Sequence, residues 1–306
     1  MNFDPLVELP VPRPDQHRLF HGRGGACAGL HWLAVDCFAP VLVATLFQDP
    51  GPEQVDALEQ VLAPQLGRLG CDCLVFQHRF LEPVANQVCV GSLPAQPVAR
   101  ESGLEFLLDF ERGQNLGFFA DMQPARRWLA ERVSSASVLN LFSFTCAFSV
   151  VALAHGARQV VNIDLSEAAL GIGRANHELN GIDPDRAVFL PHNVFRSWKK
   201  LHSLGRYQLI IMDPPSEQKG SFLARRDYAR VMRQLHRLLT PEADLLACLN
   251  APWLDETFLD RTVLDNLPGT EKVARLPLAE GFVEPNPDAA LKVVHYRYRR
   301  PPQLDQ

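Results

Sequence analysis

From about residue 137 onward, the chain alternates short apolar runs with longer stretches of helical spacing. An apolar run of about four to eight residues bounded by turn residues is typical of a strand buried on both faces of a parallel sheet. The last run alternates apolar and polar positions, which predicts an antiparallel strand that closes the sheet. The predicted strands are 138–142, 159–165, 187–190, 207–212, 244–249 and 291–298.

Helices are predicted between these strands. Ser166 is a favoured N-cap residue and Asn180-Gly181 is a favoured stop, so a helix is predicted between them. Segment 225–239 supplies the helix between the fourth and fifth strands. Strands that alternate with helices predict a doubly wound α/β sheet.

The first third of the chain predicts a smaller α+β domain. Its predicted strands are 32–38, 41–47, 71–80 and 85–90, with a helix at 53–66 between the second and third. Segment 93–98 is the most linker-like stretch. We therefore expect an extended, proline-rich tail at 1–16, an α+β domain at 17–100 and the α/β domain at 101–306.

Two carboxylates stand at the ends of predicted parallel strands. Asp213 follows the fourth strand and opens Asp213-Pro214-Pro215-Ser216, whose prolines cannot continue a central strand. Asp164 ends the second strand, where an acidic residue accepts hydrogen bonds from ribose hydroxyls. The turn after the first strand, 143–148, lacks the glycine pattern that a dinucleotide pyrophosphate requires. These features favour S-adenosylmethionine over NAD as the ligand.

Four segments, 140–149, 164–166, 176–181 and 213–216, together resemble class I S-adenosylmethionine-dependent methyltransferases. The closest resemblance is to the bacterial 23S rRNA methyltransferases that modify cytosine C5 or guanine N7. Segment 105–121, with Gly113-Gln114, resembles the stretch that introduces the catalytic domain in that group. The likeness is strong over about 103–250 and weaker over 17–100. The N-terminal PUA domain usual in that group has no counterpart here.

The resemblance implies a seven-stranded, Rossmann-like methyltransferase sheet and S-adenosylmethionine as cofactor. The expected cofactor-binding residues are Asn140, Phe142, Thr145, Cys146, Ala147, Phe148, Asp164, Leu165, Ser166, Asn193, Val194 and Asp121. The expected catalytic residues are Asp213, Pro214, Pro215 and Ser216. The expected acceptor is a base of rRNA, free or in a ribosomal particle. Candidate contacts to RNA phosphates are Lys219, Arg225 and Arg226.

The chain departs from the group at four positions. The Thr-Gly-Gly-Phe turn of the group is 145–148 here, with Cys146 and Ala147 in place of the glycines, so its backbone has less freedom. Asn193 replaces the acidic residue that the group carries near the adenine, and its amide can still donate and accept hydrogen bonds. Gln123 replaces an arginine, and Ala251 replaces the cysteine that C5-methylating members carry after the fifth strand.

The missing cysteine favours a nitrogen acceptor. Carbon 5 of cytosine is a poor nucleophile, so an enzyme thiolate must first add to C6. Cys248 lies inside a predicted strand, where we expect core packing. Methylation of nitrogen is mainly a positioning task. Asp213 and the Pro214 carbonyl would orient the acceptor, and Ser216 would add a hydrogen bond.

Composition predicts a cytoplasmic enzyme without a membrane segment. Seven cysteines without framework spacing indicate reduced thiols. No signal-peptide pattern is present, and no apolar run approaches the ~20 residues of a membrane span. The ten histidines show no metal spacing. The net charge of −5 lacks the basic footprint of a nucleic-acid-binding protein.

Alternatives to an rRNA methyltransferase remain open. A small-molecule or protein acceptor is suggested by the acidic balance, and a non-catalytic S-adenosylmethionine- or RNA-binding protein by Cys146 and Asn193. The glycine-rich segment 21–25 is compatible with a ligand loop, although a structural turn is favoured. Phe222 and Tyr228 are compatible with base stacking or with core packing.

Overall fold

The computed structural model describes residues 3–10, 14–111, 115–218 and 222–302. The chain divides into two compact units, Met1–Gln123 with Leu278–Asn286 and Pro124–Pro277 with Pro287–Gln306. The predicted division after residue 100 lies before this boundary. Segment Leu278–Asn286, which was expected in the α/β domain, belongs to the first unit.

The first unit is built on a five-stranded sheet in which the strands lie in chain order. All neighbours are antiparallel except β3 and β4, which are parallel and are connected through α1. Strands β6 and β7 form a separate antiparallel hairpin. The elements are β1 (His17–His21), β2 (Leu33–Phe38), β3 (Val41–Leu46), α1 (Pro52–Leu62), β4 (Cys73–His78), β5 (Ala85–Val90), β6 (Val98–Glu101) and β7 (Leu104–Leu107).

The predicted order of two strands, a helix and two strands is confirmed as β2, β3, α1, β4 and β5. Strand β1 was not predicted, because its register shifts between Arg18 and Phe20 and the shift disrupts the alternation of apolar positions. The β6–β7 hairpin was missed because strands of four residues are too short to display a clear period.

The expectation of an extended N-terminal tail is wrong for residues 3–10. A short 3-10 turn, Asp4–Leu6, brings Leu6 and Leu9 into the core of the first unit, where they are 0% and 1% exposed. The Gln65 side chain donates to the Leu6 carbonyl at 2.6 Å and accepts from the Leu9 N–H at 3.1 Å. The proline-rich composition predicted an extended tail and gave no indication that Leu6 and Leu9 are core residues.

The second unit contains the α/β sheet. Helix α2 begins at the last residue of the first unit. The helices of the second unit are α2 (Gln123–Ala130), α3 (Ala147–Ala154), α4 (Glu167–Leu179), α5 (Trp198–Ser203), α6 (Ala224–Leu235) and α7 (Glu256–Asn266). Its strands are β8 (Ser137–Leu141), β9 (Gln159–Asp164), β10 (Ala187–Pro191), β11 (Tyr207–Met212), β12 (Glu217–Gln218), β13 (Phe222–Leu223), β14 (Leu239–Leu249), β15 (Thr270–Arg275) and β16 (Lys292–Arg299).

The seven-stranded sheet has the order β10-β9-β8-β11-β14-β16-β15, which confirms the predicted doubly wound fold. Strand β16 runs antiparallel to both of its neighbours, β14 and β15, and the other adjacent pairs among the described strands of this sheet are parallel. The strand order reverses between β8 and β11, so this is the switch point at which open α/β sheets bind ligands. Edge strand β15 was not predicted because it is polar and mostly exposed, a common protection of sheet edges.

A directional chain of hydrogen bonds crosses the interior of the second unit. Asn140 donates to Asn162 at 3.0 Å, and Asn162 donates to Ser149 at 3.0 Å. The Ser149 hydroxyl lies 2.9 Å from Nε2 of His177, whose Nδ1 lies 2.6 Å from the Gly173 carbonyl. Because that carbonyl can only accept, Nδ1 carries the proton and Nε2 accepts from Ser149. The four side chains are at most 1% exposed and link β8, β9, α3 and α4.

This hydrogen-bond chain predicts a pH-dependent stability. Burial lowers the pKa of His177, and the bond to the Gly173 carbonyl only partly opposes the shift. The unfolded chain therefore takes up a proton more readily, and stability should fall as the pH drops below about 6.5. We expect His177→Gln to lower the free energy of unfolding at pH 7 by about 1–3 kcal/mol and to show a smaller further loss at pH 5.5.

Denaturant unfolding at both pH values measures this difference. His192→Gln, at an exposed position, serves as the control and should keep the wild-type pH dependence. An identical loss of stability on acidification in wild type and His177→Gln would contradict the assignment of a neutral His177.

Candidate active site

The loops that follow the parallel strands emerge at one edge of the second unit's sheet. Register pairs Leu141 of β8 with Ile163 of β9 and with Met212 of β11, and pairs Met212 with Ala247 of β14. Asp164 of β9 pairs with Pro191 of β10. The predicted cofactor and catalytic segments after these strands are thus brought to a common edge.

The turn after β8 has an unusual backbone. Phe142, Phe144 and Cys146 adopt positive φ angles of 59°, 47° and 62°. Residues other than glycine rarely adopt this backbone conformation, because it costs on the order of 1 kcal/mol per residue. The structure therefore contains the backbone that glycine would favour, although the chain supplies none in this turn.

Asp164 holds this turn in place. One carboxylate oxygen accepts from the Phe144 N–H at 2.9 Å, and the other accepts from the Ser166 N–H at 2.9 Å. Each oxygen retains a second lone pair, so the half-buried carboxylate can also accept from two ribose hydroxyls. Ser166 caps α4 as predicted, since its hydroxyl accepts from the Ala169 N–H at 3.1 Å. Leu165 between them is 51% exposed and can cover an adenine ring.

Cys146 packs against α4. A Cβ added to Gly173 would lie 2.6 Å from the Cys146 sulfur, so the helix passes too close for any side chain at that position. Cys146 is fully buried, and burial raises the pKa of its thiol to about 12. The thiol therefore serves packing, and Gly173 provides the space that the missing glycine at 146 would otherwise have left.

Asn193 occupies the loop after β10. Its side-chain oxygen accepts from the Phe195 N–H at 2.8 Å, and its carbonyl accepts from the Ser197 hydroxyl at 2.8 Å. The amide nitrogen is thus the group that can face an adenine edge. Val194 beside it is 3% exposed and belongs to the core, so its side chain is structural.

The remaining predicted cofactor residues are positioned differently. Asn140 lies within the buried hydrogen-bond chain, where its side chain donates to Asn162. Thr145 and Phe148 are 2% and 7% exposed, and Ala147 begins α3. Asp121 lies in the first unit, in the 3-10 turn Ala120–Met122, and its role stays a prediction.

The Asp-Pro-Pro-Ser loop is tied to its neighbours through Ser216. The Ser216 hydroxyl donates to the Asn250 carbonyl after β14, and the Ser216 carbonyl accepts from the Ala224 N–H at 3.2 Å. Asp213 and Pro215 are half-buried and Pro214 is buried. The hydroxyl predicted to bind the acceptor is thus also a tether for the catalytic loop.

Aromatic side chains support the same loops. The ring centre of Phe222 lies 5.3 Å from that of Phe142, 6.3 Å from that of Phe195 and 6.0 Å from that of Tyr228. Phe222 and Tyr228 are fully buried, and the Tyr228 hydroxyl donates to the Cys248 carbonyl at 2.8 Å. Core packing, rather than base stacking, is the correct interpretation of both residues.

The predicted RNA-contact residues differ in their surroundings. Lys219 lies outside the described residues, as do Gly113 and Gln114. Arg225 is exposed at the start of α6. Arg226 forms two bonds to the buried carboxylate of Asp227, at 2.7 and 3.0 Å, so its charge is already engaged.

Asp227 is the buried partner of these arginines. Its burial raises the pKa, but hydrogen bonds from Arg226, the Leu223 N–H and Arg230 outweigh that effect and hold the pKa at about 2. The carboxylate therefore anchors the start of α6 next to β13.

Sequence reasoning missed a lysine beside the loop after β14. Lys292 is fully buried and donates to the Ala251 carbonyl at 3.2 Å and to the Ala290 carbonyl at 2.8 Å. Its alternating strand gave no signal of this, since lysine in such a pattern usually faces solvent. Cys248 and Ala251 are fully buried, which confirms core packing for Cys248.

Within the described parts of the chain, no group of three or more His, Cys, Asp or Glu side chains is arranged to hold a metal ion. None of the described helices has the length and apolar character needed to cross the bilayer. All seven cysteines are free thiols.

The strand order, the cofactor turn at the switch point and the Asp-Pro-Pro-Ser loop define a class I methyltransferase fold. The chain belongs to the S-adenosylmethionine-dependent methyltransferase family, because the sequence model of that family matches residues 17–297. The predicted family and its cofactor are thereby confirmed. A solved methyltransferase from Streptococcus mutans has the same fold, with a TM-score of 0.82 at 23% identity over 92% of this chain and 75% of that one.

Two similar proteins carry the name ribosomal RNA large subunit methyltransferase I. That of Aeromonas salmonicida is 31% identical over 249 residues, covering 78% of this chain and 62% of that protein. That of Serratia proteamaculans is 34% identical over 244 residues, covering 76% of this chain and 60% of that protein. This chain therefore spans about three fifths of the length of these relatives.

The role of Asp164 predicts a large effect on cofactor affinity. We expect Asp164→Ala to weaken S-adenosylmethionine binding by roughly 1.5–3 kcal/mol, the scale of hydrogen bonds to a charged group. Isothermal titration calorimetry measures the change. Glu167→Ala, an exposed carboxylate at the start of α4, is the control and should bind normally. Unchanged affinity in Asp164→Ala would refute the assignment.

The contact between Cys146 and Gly173 predicts a coupled pair. Gly173→Ala should destabilise the protein by roughly 1–3 kcal/mol, because the new methyl group would meet the Cys146 sulfur. Adding Cys146→Gly should recover most of that loss. Chemical denaturation of both single variants and the double variant gives the coupling energy.

Gly171→Ala is the matched control in the same helix. A Cβ at Gly171 meets no atom within 4 Å, so this change should be neutral or stabilising by up to about 1 kcal/mol. Strictly additive effects of Gly173→Ala and Cys146→Gly would show that the two positions do not interact.

Proposed function

We propose that the protein transfers the methyl group of S-adenosylmethionine to a base of large-subunit ribosomal RNA. The observation that carries this proposal is the 31% and 34% identity to two proteins named as large-subunit rRNA methyltransferases, over about three quarters of this chain. The cofactor turn and the Asp-Pro-Pro-Ser loop at one sheet edge are consistent with it.

S-Adenosylmethionine would supply a methyl group on a positively charged sulfur. A nitrogen of the acceptor would bond to the methyl carbon as the carbon–sulfur bond breaks, and the sulfur would leave in the neutral thioether S-adenosylhomocysteine. The protein's own contribution is to bind and orient both partners. Asp164 holds the turn after β8 and would accept from the ribose, while Leu165 and the amide of Asn193 would lie against the adenine. Asp213 and the Pro214 carbonyl accept hydrogen bonds from the acceptor base, and Ser216 fixes the loop that carries them.

A nitrogen acceptor is the better match to the thiols of the second unit. Attack by carbon 5 of cytosine would require a thiolate that adds to C6. Cys146 and Cys248 are both fully buried, and Ala251 follows β14. Burial raises the pKa of the Cys146 thiol to about 12, so its thiolate is scarce at neutral pH.

An acceptor other than RNA is the second candidate. The net charge of −5 favours it, as does the engagement of Arg226 by Asp227. The non-catalytic alternative loses support, because Gly173 accommodates Cys146 and the Asn193 amide nitrogen can face the adenine. Seven free thiols support a reducing cytoplasm as the site of action.

Removal of the Asp213 carboxylate tests the catalytic assignment. We expect Asp213→Ala to bind S-adenosylmethionine with wild-type affinity but to lose at least about 100-fold in methyl transfer, because the acceptor is no longer oriented. Tritium transfer from labelled S-adenosylmethionine to rRNA from a strain lacking the protein measures the rate. Asp265→Ala, at an exposed position of α7, is the control.

Each outcome has a distinct meaning. Equal turnover by Asp213→Ala and wild type would remove Asp213 from the mechanism. Nucleoside analysis of labelled rRNA distinguishes nitrogen from carbon methylation, and 5-methylcytosine would overturn the nitrogen assignment. No label from the wild-type protein, with cofactor binding intact, would transfer the proposal to the second candidate.

A further inference from the structure

The glycine-rich segment 21–25 forms a tight turn after β1 in the first unit. A Cβ on Gly22 would lie 1.8 Å from the Leu30 carbonyl oxygen, and one on Gly24 would lie 2.1 Å from the Val283 carbonyl oxygen. Both glycines are therefore required by close main-chain contacts. Arg23 between them is presented from a turn whose position is fixed by these contacts.

Arg23 shares an aromatic ring with a second arginine. The guanidinium carbon of Arg23 lies 4.2 Å from the ring centre of Phe47, and that of Arg79 lies 5.5 Å from the same centre. Phe47 and Arg79 directly follow the parallel strands β3 and β4, and the Arg79 N–H donates to the Leu46 carbonyl at 2.9 Å. Sheet register thus brings Arg79 beside the ring that Arg23 covers.

A third arginine next to them, Arg18, is already paired with a carboxylate. Arg18 forms a two-bond ion pair with Asp36, with both distances at 2.9 Å. Its guanidinium also lies 2.6 Å from Nδ1 of His21 and 4.2 Å from the ring centre of Phe282. Burial and the Arg18 charge lower the pKa of His21 to about 4, so this histidine is neutral at pH 7.

The charges of Arg23 and Arg79 have no such match. In the described part of the chain, neither arginine forms an ion pair with a carboxylate. Arg79 donates instead to the neutral amide oxygen of Asn115 at 3.0 Å. Partial desolvation lowers the pKa of each guanidinium, and the neighbouring arginines lower it further, while Glu284 only partly opposes this at Arg23. The arrangement would be relieved by an anion.

We propose that Arg23 and Arg79, whose guanidinium groups both lie near the Phe47 ring, form a binding site for a phosphate group of RNA. Guanidinium forks match the oxygens of a phosphate, and two of them can share the single negative charge of one phosphodiester. Arg23 is exposed, so a polymer backbone can reach the site. The identification of the anion as RNA rests on the proposed function.

Substitutions that remove the charge of one arginine at a time test this site. Arg23→Gln and Arg79→Gln should each weaken binding of radiolabelled 23S rRNA about 3–10-fold near 0.1 M KCl. Each should also reduce the slope of log K against log [KCl] by up to roughly 0.7–0.9, the change expected when one phosphate contact is lost completely. Filter binding from 50 to 300 mM KCl measures both quantities. Arg23→Lys and Arg79→Lys should retain most of the slope.

Arg100→Gln is the matched control, because Arg100 lies in the same unit, is exposed and is paired with Glu105 at 2.9 Å. It removes the same charge and should leave the slope unchanged. Wild-type slopes in Arg23→Gln and Arg79→Gln, or an equal reduction in Arg100→Gln, would overturn the site. Thermal melting of each variant identifies any loss that arises from unfolding, and the lysine variants then decide the outcome.

Poly(A) as a second probe separates the site from the proposed function. If the wild-type protein methylates no rRNA but binds poly(A) through Arg23 and Arg79, the phosphate site stands and the rRNA activity fails. If it methylates rRNA with the same affinity and salt dependence in both glutamine variants, the activity stands and the phosphate site fails. Failure of the wild-type protein to bind either RNA would overturn the site.

Discussion

The candidate active site depends on the way one carboxylate holds a strained turn. Asp164 accepts the main-chain N–H groups of Phe144 and Ser166, and so fixes the turn after β8 against the end of β9. The turn has positive φ angles at Phe142, Phe144 and Cys146, which an isolated peptide of these residues would rarely adopt. The shape of the cofactor site is therefore imposed by the neighbouring strand and helices.

Packing around the turn shows the same dependence on its surroundings. Cys146 is accepted because α4 carries Gly173 where the two segments meet. Phe142 rests edge-on against Phe222, which also contacts Phe195 of the loop after β10. A single buried ring thus joins the cofactor turn to the loop that follows β10 and to the hairpin after the Asp-Pro-Pro-Ser loop. Changes in any of these segments are transmitted to the others through packed side chains.

The fold and the placement of Asp164 and Asp213 at the ends of buried strands could be predicted because they rest on local signals. Buried parallel strands are continuous apolar runs, and Asp164 and Asp213 stand at their ends. Residues whose roles depend on distant partners could not be predicted. The burial of Lys292 follows from the carbonyl groups of Ala251 and Ala290, and that of His177 follows from Ser149 and Gly173. Likewise, the Gln65 side chain forms hydrogen bonds with the Leu6 carbonyl and the Leu9 N–H, which allows both leucines to lie in the core.

The hydrogen-bond chain from Asn140 to Gly173 also constrains how the protein can change over time. Each member donates in one direction, so the loss of Asn162, Ser149 or His177 leaves a buried donor on one side and a buried acceptor on the other, and the loss of Asn140 leaves a buried acceptor. A single neutral step away from this arrangement is therefore hard to find. The side chains of this hydrogen-bond chain are therefore expected to change together in evolution. Sequences that descend from this one should keep all four residues, Asn140, Asn162, Ser149 and His177, or replace all four.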